Sequence, residues 1–207
     1  MDDKNVVIIT PSYRSNNLKK HLLPSINFNY ISKWIIVHDG SKVKDRVFPN
    51  HEHIIEDFNN DFLNDSGNPQ RNHGLEILNK LYPSGSVFVY FLDDDNIIHP
   101  NFYIIVQNIK KGHLYTFDQV GHPIRPHRFR GNDIRPCAID TGMFFGDFDL
   151  FREVRWIQGG GAFSDGYYIR ECYSKNQDKH QYISMIASYY NKLNTEKYAN
   201  VHSETCS

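Results

Sequence analysis

Short apolar runs alternate with helix-like segments along the first half of the chain. Runs rich in β-branched and aromatic residues predict buried strands at 5–10, 33–39, 52–56 and 86–92. Between them, apolar residues at helical spacing predict helices at 16–23, 71–81 and 100–109. Because continuous apolar strands that alternate with helices form parallel sheets covered on both faces, we expect an α/β domain.

The second half of the chain has a mixed pattern. It predicts strands at 113–120 and 138–145 and closing helices at 167–173 and 179–191. The loop between these strands is basic, and it either closes over an anionic ligand or stays solvated. Its charged and titratable residues are His122, Arg125, His127, Arg128 and Arg130. At 207 residues, the chain fits one domain: a mostly parallel central sheet flanked by helices, with a smaller mixed β region in its second half.

Composition narrows the class of protein. The net charge is −1 and the pI is near 6.8, so no global field favours nucleic acid, and we expect no nucleic-acid partner. No apolar run reaches the roughly 18–20 residues of a membrane span, and the acidic start of the chain is unlike a signal peptide. The three cysteines lack metal-site spacing. We therefore expect a cytoplasmic protein with free thiols.

Polar residues gather where the predicted strands end. The strand ends read Thr10-Pro11-Ser12, Asp39-Gly40-Ser41 and Asp93-Asp94-Asp95, and ligands of parallel sheets bind at this edge. Three adjacent carboxylates raise one another's pKa unless a cation lies among them. Mg²⁺ or Mn²⁺ would remove that cost. The alternatives are a solvated acidic turn for the three aspartates and an ordinary turn for Asp39.

Several segments occur in the order and spacing found in one enzyme family. They read VVIITPSYRSNNLKKHLLPSI, WIIVHDGS, GNPQRNHGLEIL and VFVYFLDDDN, followed by IDTGMFFGDFDLFREVRW and GGGAFSDGYYIREC. This pattern resembles the GT-A glycosyltransferases, metal-dependent enzymes with a DxD motif, over nearly the whole chain. HDGS is similar to the inverting polysaccharide-synthesising family, and the QRN and DDDN pair is similar to the animal glucuronyltransferases.

The resemblance implies a Rossmann-like GT-A domain over 1–207. Residues 1–110 would bind the nucleotide sugar, and 111–207 would bind the acceptor and supply catalysis. The donor would be a UDP-sugar such as UDP-glucose, the acceptor a carbohydrate and the cofactor Mn²⁺ or Mg²⁺. The implied nucleotide and donor contacts are Thr10, Pro11, Tyr13, Arg14, Asp39, Arg71, Asn72, Asp93, Asp94 and, more weakly, Asp140. Asp95 would bind the metal, with His180, His202 or neither as a further ligand.

Glycosyl transfer with a metal-neutralised leaving group needs one general base for the acceptor hydroxyl. The resemblance places that base at Asp165, which follows the glycine run 159–161. Asp165 could instead cap a helix, and Glu171 is the alternative base. A single base without a carboxylate nucleophile implies inversion. Aromatic residues of this region either stack on a sugar or pack in the core: Trp156, Phe163, Tyr167 and Tyr168.

Two other functions stay open. A sugar-phosphate nucleotidyltransferase also has metal-binding aspartates, but we expect a glycine-rich phosphate loop after its first strand. The sequence there is TPSYRSNN, which has no glycine. A non-catalytic nucleotide-sugar-binding domain would not need both the aspartate run and a base.

Overall fold

The computed structural model describes residues 5–60, 67–84, 87–121, 128–157, 159 and 161–190. The described strands form one sheet in the order β3-β2-β1-β4-β8-β6-β9-β5, with β7 paired to β6. The strands are β1 (Val6–Ser12), β2 (Lys33–Asp39), β3 (Ile54–Asn59), β4 (Phe88–Phe91), β5 (Ile97–Ile98), β6 (Leu114–Val120), β7 (Arg128–Phe129), β8 (Phe144–Asp147) and β9 (His180–Tyr189).

The two halves of the sheet differ as the sequence predicts. β1, β2, β3 and β4 pair in parallel, so their carboxyl ends share one edge. β8 runs antiparallel to both β4 and β6, and β9 runs parallel to β6. The fold is therefore α/β, with a parallel sheet in the first half and mixed β structure in the second.

Helices cover the sheet. A continuous helical segment is formed by α1 (Ser15–Asn17), a π-helical stretch (Leu18–Leu22) and α2 (Leu23–Ser25). The longer helices are α3 (Asn68–Leu81), α4 (Asn101–Asn108) and α5 (Ser164–Ser174). No helix in these described ranges is long and apolar enough to cross a membrane.

Each face of the sheet has its own apolar core. Trp34, Tyr90 and Phe102 belong to one cluster, and Ile9 and Leu75 to the other. All five side chains are completely buried, and each such burial is worth roughly 1.5–3 kcal/mol. Successive side chains of the parallel strands point to opposite faces of the sheet, so the two cores together hold the strands and their carboxyl ends in place.

Two elements of the second half differ from the prediction. The predicted helix at 179–191 is wrong over its described part, because His180–Tyr189 is strand β9. The register with β6 shifts on either side of Asp118, and such an irregularity breaks the alternation of a strand. Apolar residues therefore recur at spacings that imitate a helix. The predicted strand at 138–145 is also largely wrong, since β8 begins only at Phe144.

The cysteines also differ from the prediction. Cys172 is free and buried, and burial raises its pKa. Cys137 forms a disulfide, so the expectation of three free thiols is wrong for this residue. Cys206 lies outside the described residues.

The packing of α3 on β1 depends on a glycine. A Cβ at Gly74 would lie 2.6 Å from Cγ2 of Ile9. We expect Gly74→Ala to lower the free energy of unfolding by about 1 kcal/mol, because an overpacking cost of about 2 kcal/mol outweighs a helix-propensity gain of about 1 kcal/mol. Urea unfolding measures the change. Lys80→Ala, an exposed site on the same helix, is the control; a Gly74→Ala variant as stable as wild type would contradict this packing.

Candidate functional site

The carboxyl end of β4 meets the turn after β1 through Asp94. Its Oδ2 atom accepts hydrogen bonds from Ser12 Oγ at 3.1 Å and from the backbone N–H groups of Tyr13 and Arg14, both at 2.9 Å. Its Oδ1 atom lies 2.6 Å from Nη1 of Arg14. Asp94 is 3% exposed, and this burial raises its pKa, although the Arg14 charge and the two N–H groups oppose the rise.

Arg14 joins Asp95 and Tyr13 to the same group. Its Nη1 atom lies 2.9 Å from Oδ2 of Asp95, and Nη2 donates to the Tyr13 hydroxyl. We call Tyr13, Arg14, Asp94 and Asp95 the Arg14 cluster. The buried carboxylates of this cluster share one half-buried guanidinium, so their charges are partly neutralised within the chain.

The end of β2 borders the Arg14 cluster through Lys42. Lys42 Nζ lies 4.5 Å from the centre of the Tyr13 ring and 3.2 Å from Oδ2 of Asp39. The Asp39 carboxylate also accepts hydrogen bonds from the backbone and side chain of Ser41. Tyr13 remains 45% exposed, so the ends of β1 and β2 present an aromatic face beside a carboxylate.

A second group of charges forms around Arg71, in the first turn of α3. Arg71 Nη2 lies 2.5 Å from Oδ1 of Asp93 and 3.9 Å from Oδ1 of Asp165. One carboxylate oxygen each from Asp93, Asp140 and Asp165 lies within 4.8 Å of the others. We call these four residues the Arg71 cluster. Asp93 thus points away from its neighbours Asp94 and Asp95 and into a different charge group.

Asp140 and Asp165 come from different segments that pack closely. Asp140 caps the short helix Thr141–Met143, accepting from the Gly142 N–H at 2.9 Å and from Gln119 Nε2 at 3.2 Å. Asp165 lies in the first turn of α5. A Cβ on the next residue, Gly166, would lie 2.2 Å from the backbone of Pro136. The missing side chain therefore lets α5 approach the segment that leads to Asp140.

One buried cation faces three carboxylates in the Arg71 cluster. Arg71 is 2% exposed, and the carboxylates raise its pKa although burial opposes them. Burial, together with the Asp165 and Asp93 charges, raises the pKa of Asp140 well above its usual range. Burial also raises the pKa of Asp165 to about 6, with Arg71 opposing the rise. At least one of these carboxyls therefore holds a proton more readily than an ordinary aspartate.

The guanidinium of Arg71 is held from the other side by an aromatic stack. It lies 4.7 Å from the centre of the Trp156 ring, which stacks on Tyr168 at 4.1 Å. Asn72 fixes this segment: its side-chain amide donates to the Trp156 carbonyl at 3.0 Å and accepts from the Trp156 N–H at 2.9 Å. Asn72, predicted to contact the donor, therefore bonds protein backbone. Trp156 and Tyr168 are buried and pack in the core, whereas Phe163 is exposed.

A pocket of about 140 Å³ opens beside the carboxylates. Asp140 and Asp165 lie in its wall together with Gln119, Phe129, Phe163 and Tyr190. The pocket thus joins acidic groups to aromatic rings.

The other predicted residues have varied surroundings. Thr10 is buried at the end of β1 and accepts from Trp34 Nε1 at 2.9 Å, and Pro11 is buried beside Gly67. His180 begins β9, at the edge opposite the aspartates, and lies 2.9 Å from Thr116 Oγ1. Glu171 pairs with Lys175 at 2.7 Å on the exposed side of α5. His202, His122, Arg125 and His127 lie outside the described residues; Arg128 pairs with buried Asp118, and Arg130 is exposed.

Sequence reasoning missed two residues of this region. Lys42 carries a sequence signal, since it follows Asp39 by three residues in a turn. Gln119 carries a weaker signal, as a polar residue in a largely apolar strand, and its hydrogen bond to Asp140 joins segments 21 residues apart.

Comparisons with known proteins define the fold. No protein-family model and no curated protein match the chain. S. aureus TarS, a glycosyltransferase, matches with a TM-score of 0.66 at 14% identity, over 94% of this chain and 38% of TarS. The chain has a GT-A-like fold.

Two further structures are similar. A mycobacterial protein matches with a TM-score of 0.58 at 12% identity, over 91% of this chain and 67% of that one. A197 from STIV matches with a TM-score of 0.50 at 14% identity, over 90% and 85%. At these identities the likeness shows the fold alone, and the chain spans little more than a third of the length of TarS.

The balance of charge in the Arg71 cluster makes stability depend on this arginine. We expect Arg71→Met to lower the free energy of unfolding by up to about 3–5 kcal/mol at pH 8, because three partly buried carboxylates lose their cation. The loss should shrink toward pH 5. Without Arg71 the pKa of Asp165 rises further above its unfolded value, so the native state binds more protons and loses stability as pH rises.

Urea unfolding at pH 5 and pH 8 measures this effect. Arg155→Met, at an exposed arginine near the same segment, is the matched control and should change little at either pH. An equal loss at both pH values for Arg71→Met would show that the arginine acts through packing and not through charge.

Proposed function

We propose that the protein is a metal-dependent glycosyltransferase that moves a sugar from a UDP-sugar to a hydroxyl of a carbohydrate acceptor with inversion. The observation that carries the proposal is the position of Asp165. This carboxylate, with a pKa raised to about 6, lies beside Asp140 and beside Asp93, the first residue of the aspartate run at the carboxyl edge of a GT-A-like sheet. A base with a pKa near the working pH suits proton abstraction.

The donor would bind at the ends of β1 and β2. The exposed Tyr13 ring offers a stacking face, and Asp39 offers a carboxylate to a base N–H, as uracil presents. Arg14 lies between Tyr13 and the aspartates, where its charge would attract a diphosphate.

The donor set of this edge fits a hard divalent cation. Carboxylate oxygens are the ligands that Mg²⁺ and Mn²⁺ prefer. We assign the metal to Asp95, whose charge is neutralised by Arg14 when no metal is bound. When bound there, such a cation supplies positive charge to the leaving diphosphate. The oxygens of Asp93, Asp140 and Asp165 form an alternative set, but its Asp165 is needed as the base.

Asp165 would accept the proton of the acceptor hydroxyl. The acceptor oxygen bonds to the anomeric carbon as the bond from that carbon to UDP breaks, and the electron pair leaves with UDP. Arg71, 3.9 Å from Asp165, keeps the base ionised near neutral pH by opposing the rise of its pKa. Attack from the side opposite the diphosphate inverts the anomeric carbon.

The role of Asp165 predicts a selective loss of activity. We expect Asp165→Asn to lower the transfer rate by about 10²–10⁴-fold while UDP affinity stays within about twofold, because an amide cannot take the proton. The wild-type rate should rise with pH through about 6, as Asp165 ionises. Release of UDP from a panel of UDP-sugars with mixed sugar acceptors measures the rate.

Glu171→Gln is the matched control, since this acid lies on the same helix but pairs with Lys175 at the surface. It should retain full activity. Full transfer by Asp165→Asn, or loss of transfer in Glu171→Gln alone, would remove Asp165 from the role of base.

The metal assignment predicts a second selective effect. We expect Asp95→Asn to weaken Mn²⁺ binding by roughly tenfold or more, since even outer partners of metal sites contribute about 10–100-fold. Calorimetric titration with MnCl₂ in the presence of UDP measures the affinity. Asp149→Asn, at a half-exposed acid, should bind Mn²⁺ normally. Loss of Mn²⁺ binding in Asp140→Asn but not in Asp95→Asn would move the metal to the Arg71 cluster.

A further inference from the structure

We propose that the pocket beside Asp140 and Asp165 binds a single neutral sugar ring of the acceptor. This inference rests on the proposed function, because it places the reacting hydroxyl at Asp165. It adds the chemical class of the acceptor: an uncharged pyranose, as opposed to an acidic or phosphorylated sugar.

The size of the pocket limits its occupant. Its volume of about 140 Å³ is about half the lower bound of roughly 300 Å³ for pockets that bury drug-sized ligands. One ring with its hydroxyls suits this space. A longer acceptor would extend from the opening past Phe163, which is 38% exposed.

Aromatic rings form one side of the pocket. Phe129 and Tyr190 meet edge to face with ring centres 5.2 Å apart, and Phe163 also lies in the wall. Aromatic faces are apolar surfaces with a negative quadrupole. They pack well against the C–H face of a pyranose, which is apolar and slightly positive.

Hydrogen-bond acceptors form another part of the wall. Asp140 and Asp165 each present carboxylate oxygens. Gln119 donates its amide N–H groups to Asp140 and to Ser188 Oγ, at 3.2 and 2.9 Å, while its Oε1 atom is buried without a hydrogen-bond partner among the described residues. A surplus of acceptors suits a ligand that brings hydroxyl donors.

Charge excludes acidic acceptors. The described residues that line the pocket include two aspartates and no lysine, arginine or histidine. A carboxylate or phosphate placed there would be desolvated next to Asp140 and Asp165, and Arg71, the cation beside Asp165, is already paired with Asp93. A neutral ring avoids this cost and still offers several donors.

Binding of simple glycosides tests the proposal without knowledge of the true acceptor. Saturation-transfer NMR on the full chain would use methyl glycosides of glucose, galactose, mannose and N-acetylglucosamine, with methyl glucuronide and glucose 6-phosphate as charged probes. The spectra would be recorded with and without UDP and Mn²⁺. We expect at least one neutral glycoside to bind and both charged probes to fail.

Substitutions of aromatic residues in the pocket wall test whether the glycosides bind in this pocket. Phe163→Ala should weaken the neutral glycoside about two- to tenfold, the range expected from loss of an aromatic contact, and leave UDP affinity unchanged. Phe129→Leu keeps apolar volume but removes a ring, so it should also weaken binding if Phe163→Ala proves unstable. Ile104→Ala, at an exposed site on α4, is the control.

The outcomes separate this proposal from the proposed function. Binding of a charged probe in preference to neutral glycosides, absence of any glycoside binding, or full binding in both aromatic variants overturns the pocket assignment, whatever the UDP affinity. Neutral glycoside binding that Phe163→Ala weakens, in a chain that binds no UDP, supports the pocket and overturns the proposed function.

Discussion

The buried guanidinium of Arg71 is the interaction on which the candidate site depends. It reaches from α3 to Asp93 at the end of β4 and to Asp165 on α5. A cation in the first turn of a helix is unfavourable by itself, and a fully buried one is costly without partners. Carboxylates from separate segments offset both costs. The same contact therefore joins the parallel half of the sheet to the second half of the chain.

The surrounding contacts leave Arg71 little freedom. Asn72 holds the backbone of Trp156 with two hydrogen bonds, Trp156 covers the guanidinium and stacks on Tyr168, and Tyr168 belongs to the helix that carries Asp165. Gly166, the residue after Asp165, packs closely on Pro136. This contact holds the first turn of α5 against the segment that leads to Asp140. Three carboxylates that repel one another are thus held together by the charge of Arg71 and by the packing that fixes Arg71 and α5 in place, which is how a fold keeps a perturbed carboxyl.

The sequence predicts the parallel half well because its signals are local. Apolar runs mark β1, β2 and β4, and parallel pairing brings Asp39 and the aspartate run to one edge. It does not predict that Asp93 leaves its neighbours, because that depends on which cation each carboxylate meets: Arg71 in one direction and Arg14 in the other. Nor does it reveal β9, whose irregular register with β6 hides the alternation of a strand. Contacts between residues far apart in the sequence leave no local sequence pattern from which they could be predicted.

Counting charges at this edge shows what the proposed function demands. Among the described residues, six carboxylates at this edge lie near three cations: the aspartates are Asp39, Asp93, Asp94, Asp95, Asp140 and Asp165, and the cations are Arg14, Lys42 and Arg71. Full ionisation leaves an excess of three negative charges, and the raised pKa values of Asp140 and Asp165 remove only part of it. A diphosphate adds more negative charge at short range, where such repulsion is strong. Under the proposed function, donor binding at this edge would therefore need added positive charge, and a divalent cation at Asp95 would supply it and leave Arg71 free to hold the base.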